Sequence, residues 1–174
     1  MDKDYGFVVV HLPHTSLNIP SEYRKGILLN ERRLFGEIRR MTDAFCDELY
    51  DAADFRCRII SPVSRLVCDV ERFRDDDMEP RAKKGQGLMY TKTYFGRRLR
   101  EDDKNLRQKI LDEIYDPHHA RLTEAVEKAL RDYGRCLIID GHSFGSKTIV
   151  KPGNILSLPD FDIGTDSFHT PAGL

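Results

Sequence analysis

The stretch Leu137-Ile138-Ile139-Asp140-Gly141-His142-Ser143 constrains this chain more than any other, because a short apolar run stops abruptly at an acid, a glycine and a histidine. A short apolar run of this kind suits a buried strand, and in an open α/β sheet ligands gather at the carboxyl ends of the strands. The pattern occurs twice more. Phe7-Val8-Val9-Val10 runs into His11-Leu12-Pro13-His14, and Arg65-Leu66-Val67-Cys68 runs into Asp69-Val70-Glu71-Arg72. Three apolar runs ending in His, Asp/Glu/Arg and Asp/His predict one convergent polar site. The mixture of groups suits a divalent metal beside a carboxylate-binding arginine.

Between these runs the apolar period becomes helical. Leu34, Ile38, Met41, Phe45 and Leu49 recur at three- or four-residue steps and predict a helix over residues 30–53, capped by Asn30. Residues 56–60 read as a second strand closed by Pro62, and residues 65–70 as a third. Residues 74–87 carry Asp75-Asp76-Asp77, Pro80, Gly85 and Gly87, which predicts a long exposed loop. Leu106, Ile110, Ile114, Leu122, Val126 and Leu130 predict a helix over residues 99–133, broken near Tyr115-Asp116 by Pro117 and stopped by Gly134. Strand, helix, strands, helix, strand is the order of a layered α/β domain with a mixed, mostly parallel sheet of four or five strands. Residues 151–174 offer no clear final strand or helix.

With 174 residues the chain fits a single domain, large enough to bury roughly 70% of its unfolded surface. A net charge of -1 gives neither a nucleic-acid footprint nor a polybasic membrane patch. No apolar run approaches a membrane span, and the charged start lacks the pattern of a signal peptide. Cys46, Cys57, Cys68 and Cys136 are widely spaced with no Cys-x-x-Cys pair, as expected of reduced core residues in a cytoplasmic protein.

His14 and His142 are the best imidazole candidates for a metal, each following a strand after a proline or glycine. The bland alternative is that each caps a strand end by hydrogen bonding. If residues 69–72 continue a strand, Asp69 and Glu71 face one side and Arg72 the other. A planar guanidinium such as that of Arg72 grips a substrate carboxylate with two parallel bonds, while a structural salt bridge involving Arg65 is the competing reading. Asp43, on the predicted helix, either points back to the strand ends or is a solvated carboxylate. His118 and His119 follow Pro117, and one of them is expected to reach the site while the other faces solvent.

These residues, in this order, resemble the N-formylglutamate amidohydrolase family, whose pattern runs Pro-His-Ser-Gly, an Asp on a helix, Ser-Arg-x-x-x-Asp-Leu-Asn-Arg, Pro-Tyr-His and Asp-Cys-His-Ser. Here the matching residues are Pro13-His14-Thr15-Ser16, Asp43, Ser64-Arg65 through Asp69-Val70-Glu71-Arg72, Pro117-His118-His119 and Asp140-Gly141-His142-Ser143. Pro159-Asp160-Phe161-Asp162-Ile163-Gly164 resembles the family's Pro-Asp-Phe-x-x-Gly segment. The resemblance implies a three-layer, phosphorylase/hydrolase-like α/β fold related to zinc carboxypeptidases and aspartoacylase. It also implies hydrolysis of an N-acyl amino acid, a small-molecule substrate, and a place in histidine degradation. One zinc, or another divalent metal, would be held by His14, Asp43 and His142. Arg65, Arg72 and Ser143 would bind the substrate, Asp140 would orient His142, and His119 would assist at the developing oxyanion.

Three departures stand out. Glu71 replaces the family's Asn, putting a negative charge beside the expected anion-binding arginine; at about 4 Å and an effective dielectric of about 20, unit charges interact by about 4 kcal/mol. Leu17 stands three residues after His14, so a His-x-x-Glu pair is absent. The family's further Gln-x-Glu-x-x-Arg-like strand has no counterpart before Leu174, and the chain reads as truncated, lacking C-terminal strands. A metal- or ligand-binding homologue without hydrolytic activity is therefore the alternative to an amidohydrolase, with a metal phosphoesterase third.

Overall fold

In the computed structural model, which describes residues 5–51, 55, 57–145, 160–165, 167, 168 and 170, strand β1 (Val8–Leu12) is the centre of a three-stranded sheet. Strand β2 (Cys57–Ile60) pairs on one side and β3 (Leu137–Asp140) on the other, both parallel to β1. Among the described residues the sheet is thus all parallel, smaller than the four or five strands expected and without the expected antiparallel member. In its register His11 lies opposite Ile59 on one side and Asp140 on the other, so the polar residues arrive together at the carboxyl edge.

The alternation of β1 assigns its two faces. Val8, Val10 and Leu12 pack with Cys46 and Tyr50, while His11 points the opposite way, toward the long helix described below. The polypeptide between β1 and β2 forms a single helical turn, α1 (Ser21–Arg24), then α2 (Glu31–Met41) and α3 (Cys46–Asp51). Asn30 caps α2 by accepting the Arg33 N–H at 3.0 Å, an interaction worth about 1 kcal/mol.

The expected single helix over residues 30–53 is broken at residues 42–45. Thr42 folds back on Ile38 with both its N–H (3.0 Å) and its hydroxyl (2.8 Å), and Phe45 takes φ 66°, a left-handed conformation costly for a side chain of that size. The apolar period misleads across this break, because Phe45 and Leu49 are exposed and Cys46 is the buried residue. Residues 52–54, at the end of that expected helix, lie outside the described residues, as do residue 56 of the second predicted strand and Pro159.

Residues 65–70 are turns rather than a strand. Val67 and Cys68 both donate to the Ser64 carbonyl, and Arg65 pairs with Asp69 at 2.8 Å, whereas residues four apart along a strand are separated by about 13 Å. The run is apolar because it is core: Leu66, Val67, Cys68 and Val70 are fully buried. Residues 74–87 form turns with one 3₁₀ segment, Ala82–Lys84, and are less exposed than expected, since Glu79 and Gln86 are buried.

The second helical region begins at α4 (Lys104–Ile110), capped by Asp103, continues through a π-helical turn, Leu111–Tyr115, and becomes α5 (Asp116–Tyr133) with Pro117 in its first turn. The helix runs on without a break there, and the π-helical turn stands immediately before the position where proline removes an N–H from the ladder. Gly134 ends α5 at φ 68°, as its sequence position predicts. All four cysteines are free thiols. The chain packs as two units, Met1–Ser143 and Phe144–Leu174, and the described residues of the second contain no helix or strand.

Candidate functional site

Pro13 carries the chain out of β1 and leaves His14 2% exposed. Its Nε2–H donates to Asp69 Oδ1 at 2.9 Å. Asp69 is itself fully buried and is surrounded by donors: Oδ2 accepts from Arg65 Nη2 (2.8 Å) and Nε (3.2 Å) and from the Tyr90 hydroxyl (2.8 Å), with Arg72 Nε at 3.4 Å. Although burial alone would raise it, the His14 hydrogen bond and Arg65 hold the Asp69 carboxyl far below the usual carboxylate range. This is possible only because residues 65–72 are turns, which gather three side chains that a strand would have sent to opposite faces.

The other nitrogen of His14 behaves differently. Nδ1 is buried with no hydrogen-bond partner, and Asp43 Oδ2 lies 3.5 Å away. Asp43 stands in the break between α2 and α3, where its backbone N–H donates to the His14 carbonyl at 3.0 Å. The helix break is what delivers this carboxylate, which on an uninterrupted helix would have followed the helix surface. Burial opposes charge on His14, yet Asp43 and Asp69 outweigh it and raise its pKa; burial likewise opposes charge on Asp43, but the two histidines bring it to about 2.

His142 completes the group from the end of β3. Its Nδ1 lies 2.8 Å from Asp43 Oδ2, and its Nε2 lies 2.9 Å from Glu71 Oε1 and 3.5 Å from Asp140 Oδ2. These three carboxylates, Asp140, Asp43 and Glu71, push its pKa up to about 12. Gly141 precedes it because nothing larger fits, a Cβ there falling 2.6 Å from both Leu12 and Tyr50. The two rings sit 5.3 Å apart, with both Nδ1 atoms toward Asp43 and both Nε2 atoms toward Glu71, whose Oε2 is 3.3 Å from His14.

Among the described residues, His14, Asp43 and His142 each offer a ligand atom within 4.8 Å of the others. Two further groups with that spacing, His14 with Asp69 and Glu71, and Glu71 with Asp140 and His142, use the opposite Nε2 side. On the Nδ1 side the set is two imidazoles and one carboxylate, the donor set of many catalytic zinc sites, and each imidazole has a carboxylate behind it on Nε2.

The remaining predicted residues fall out variously. Arg65 spends two guanidinium nitrogens on Asp69, so the salt bridge is what the structure contains there. The Arg72 Nε is buried and has no hydrogen-bond partner. The Ser143 hydroxyl donates to the Ala44 carbonyl at 2.9 Å, tying the end of β3 to the helix break. Asp140 gives its short bond not to His142 but to His11, whose Nδ1 is 2.8 Å from Oδ1. His119 Nε2 donates to the Val70 carbonyl at 2.9 Å beside Tyr115; it is partly buried, and the residue buried completely is His118. Sequence reasoning missed the pairing of His11 with His118, the hydroxyl of Tyr90 and the place of Glu71 between the imidazoles. A signal for His11 existed, because parallel pairing of the first and last apolar runs sets it against Asp140.

Parallel strands that end in a cluster of imidazoles and carboxylates define an α/β protein with its polar site at the carboxyl edge of the sheet. A family model described as N-formylglutamate amidohydrolase matches residues 7–173, and the chain belongs to that family. It is 28% identical to an N-formylglutamate deformylase of Pseudomonas putida over 95% of its own length and 63% of the relative's, and 26% identical to one of Pseudomonas aeruginosa over 92% and 59%. It therefore spans about three-fifths of the length of these relatives. A crystal structure of N-formylglutamate amidohydrolase from Ralstonia eutropha shares the fold, with TM-score 0.65 at 24% identity over 79% of this chain and 54% of that one. So does a gene product of Agrobacterium tumefaciens, with TM-score 0.63 at 22% identity over 80% and 53%.

Proposed function

We propose that this chain holds one divalent metal, zinc by preference, on the Nδ1 atoms of His14 and His142 and a carboxylate oxygen of Asp43. In that state it would hydrolyse the amide of an N-acyl amino acid such as N-formylglutamate. The observation that carries the reading is the Nδ1 of His14, which is buried, unpartnered and turned toward Asp43, while Nε2 is anchored on Asp69. A buried polar atom without a partner costs about 1–3 kcal/mol, and a ligand role removes that cost. Imidazole and carboxylate donors also accept manganese or iron, so zinc rests on the donor set and the family likeness.

When bound, the metal supplies Lewis acidity for polarising an amide carbonyl and activating water. With the metal bound, Asp69 would accept the Nε2–H of His14 and leave that ring's Nδ1 to the metal in place of a proton, and Glu71 with Asp140 would do the same for His142. Arg72, whose Nε faces Asp69 at 3.4 Å, is the guanidinium that the family likeness assigns to the substrate's carboxylate, whereas Arg65 holds Asp69 in place with two hydrogen bonds. His119 assists at the developing oxyanion only as the imidazolium, because its Nε2–H is committed to Val70 and a neutral ring leaves Nδ1 an acceptor.

Elemental analysis after zinc loading and dialysis should find about one zinc per chain, lost in His14→Ala, and formate release from N-formylglutamate should be lost with it. Zinc retained in both His14→Ala and His142→Ala would sink the assignment. A metal-binding homologue without hydrolysis is the second reading, favoured by Glu71, whose negative charge stands between the two imidazoles, 3.3 Å from His14 and 2.9 Å from His142, and would repel an anionic substrate there. Stoichiometric zinc with no release of formate or other acyl groups would favour it.

A further inference from the structure

Three elements meet in a line of three side chains, of which the reaction above uses only Asp140. His118, fully buried in the first turns of α5, places its Nε2 2.8 Å from Nε2 of His11 on β1, and His11 Nδ1 lies 2.8 Å from Asp140 Oδ1 at the end of β3. The protons on this line are fixed by elimination. An ionised carboxylate only accepts, so His11 donates from Nδ1. Neutral His11 then has a bare Nε2, and His118 must donate to it. That leaves His118 Nδ1 without a proton, in keeping with its being buried with no hydrogen-bond partner. The reverse order would require a charged His11 and an N–H buried at His118 without an acceptor. Burial, then the neighbouring His11, hold the His118 pKa down at about 3, consistent with a neutral ring.

We propose that His11 and His118 are positioning residues for the metal site: a buried imidazole pair that fixes Asp140 and, through it, His142. With Oδ1 taken by His11, the oxygen left for His142 is Oδ2, 3.5 Å from its Nε2 and beside Glu71 Oε1 at 2.9 Å. The two carboxylates hold the Nε2–H of His142, so that Nδ1, whose proton Asp43 accepts at 2.8 Å, is the nitrogen that would exchange its proton for the metal. The docking of α5 on the sheet is thereby linked to the tautomer of a ligand on β3's far end. The proposal rests on the metal reading above, and its test separates the two.

Nitrogen-15 NMR of the metal-free protein should find the Nδ1–H tautomer at His11 and the Nε2–H tautomer at His118; the opposite tautomers would overturn the proposal. His118→Gln sets an amide donor where Nε2 was, and His118→Asn removes it at similar polarity. Zinc dissociation constants should stay within about threefold of the parent for Gln and rise about tenfold or more for Asn, the scale seen when outer partners of ligands are lost. Equal zinc affinity in the two variants would overturn the proposal. If the parent binds no zinc, the metal reading fails, and the His142 ring resonances decide instead: they should move in His118→Asn and not in His118→Gln, and no movement overturns the positioning role. Should the Asn variant not fold, the parent tautomers and the behaviour of His118→Gln still decide it.

Discussion

His14 is set in the core against a carboxylate that is itself fully buried, whereas the His142 side chain is 39% exposed at the end of an edge strand, held by carboxylates from three separate segments. One imidazole is therefore part of what folds the protein, and the other is added to its rim. The contrast teaches that a site built at a strand edge need not be uniformly rigid: half of it is fixed by full burial and half by charges at a partly exposed rim, and the first half contributes more to stability.

The sharpest way to break this contrast is Asp69→Asn. It strips the buried charge from His14, Arg65 and Tyr90 together, and removing one partner of a buried pair costs about 3–5 kcal/mol. Urea unfolding should show a midpoint well below the parent; an unchanged midpoint would remove the distinction between the halves. Next in size is an acid effect of the buried line. His118 has a pKa near 3 when folded against about 6.5 unfolded, so the folded state binds fewer protons between those values. Its contribution is complete above pH 6.5 and is lost as pH falls toward 3, at up to about 1.4 kcal/mol per pH unit. His118→Gln should flatten the pH dependence of stability in that window by that slope.

Replacing the rim residue should do far less to the fold. His142→Ala is expected to cost less than Asp69→Asn, because the His142 ring is 39% exposed and its three carboxylate partners all keep some access to water, Asp140 the most at 48%, while zinc binding is lost. A loss as large as that of Asp69→Asn would show that both halves are structural. Smallest is Ser143→Ala, which gives up one hydrogen bond to Ala44 and should cost about 0.5–1 kcal/mol in thermal unfolding.

Much of this was legible in the residues. The first and last apolar runs are strands, the caps at Asn30 and Gly134 are where their side chain and its absence predict, and Pro117 sits at the change of helix type. His14, Asp43 and His142 come together as their order in the family pattern implies. The middle apolar run misleads because burial imitates a strand: Leu66 to Val70 are buried in turns, and hydrophobicity alone does not distinguish the two. The helix break at Asp43 was hidden for a related reason. Met41, Phe45 and Leu49 keep helical spacing by chance of position, while the interactions that end α2, Thr42 on Ile38 and Asp43 on the His14 backbone, depend on a tertiary contact that no local window contains. His11 and His118 are 107 residues apart in sequence, and their meeting required both the strand register and the rotational phase of α5.

That phase is set by the π-helical turn Leu111–Tyr115. Such a turn carries one residue more than an α-helical turn, and each residue rotates an α-helix by about 100°. Two adjacent histidines follow it, and only one can look at β1. A single-residue deletion within the turn would index α5 forward by one position, exchanging His118 for His119 at the sheet and leaving Val70 without its donor. The bulge works as a phase shifter, deciding by its extra residue which of two neighbouring imidazoles belongs to the core.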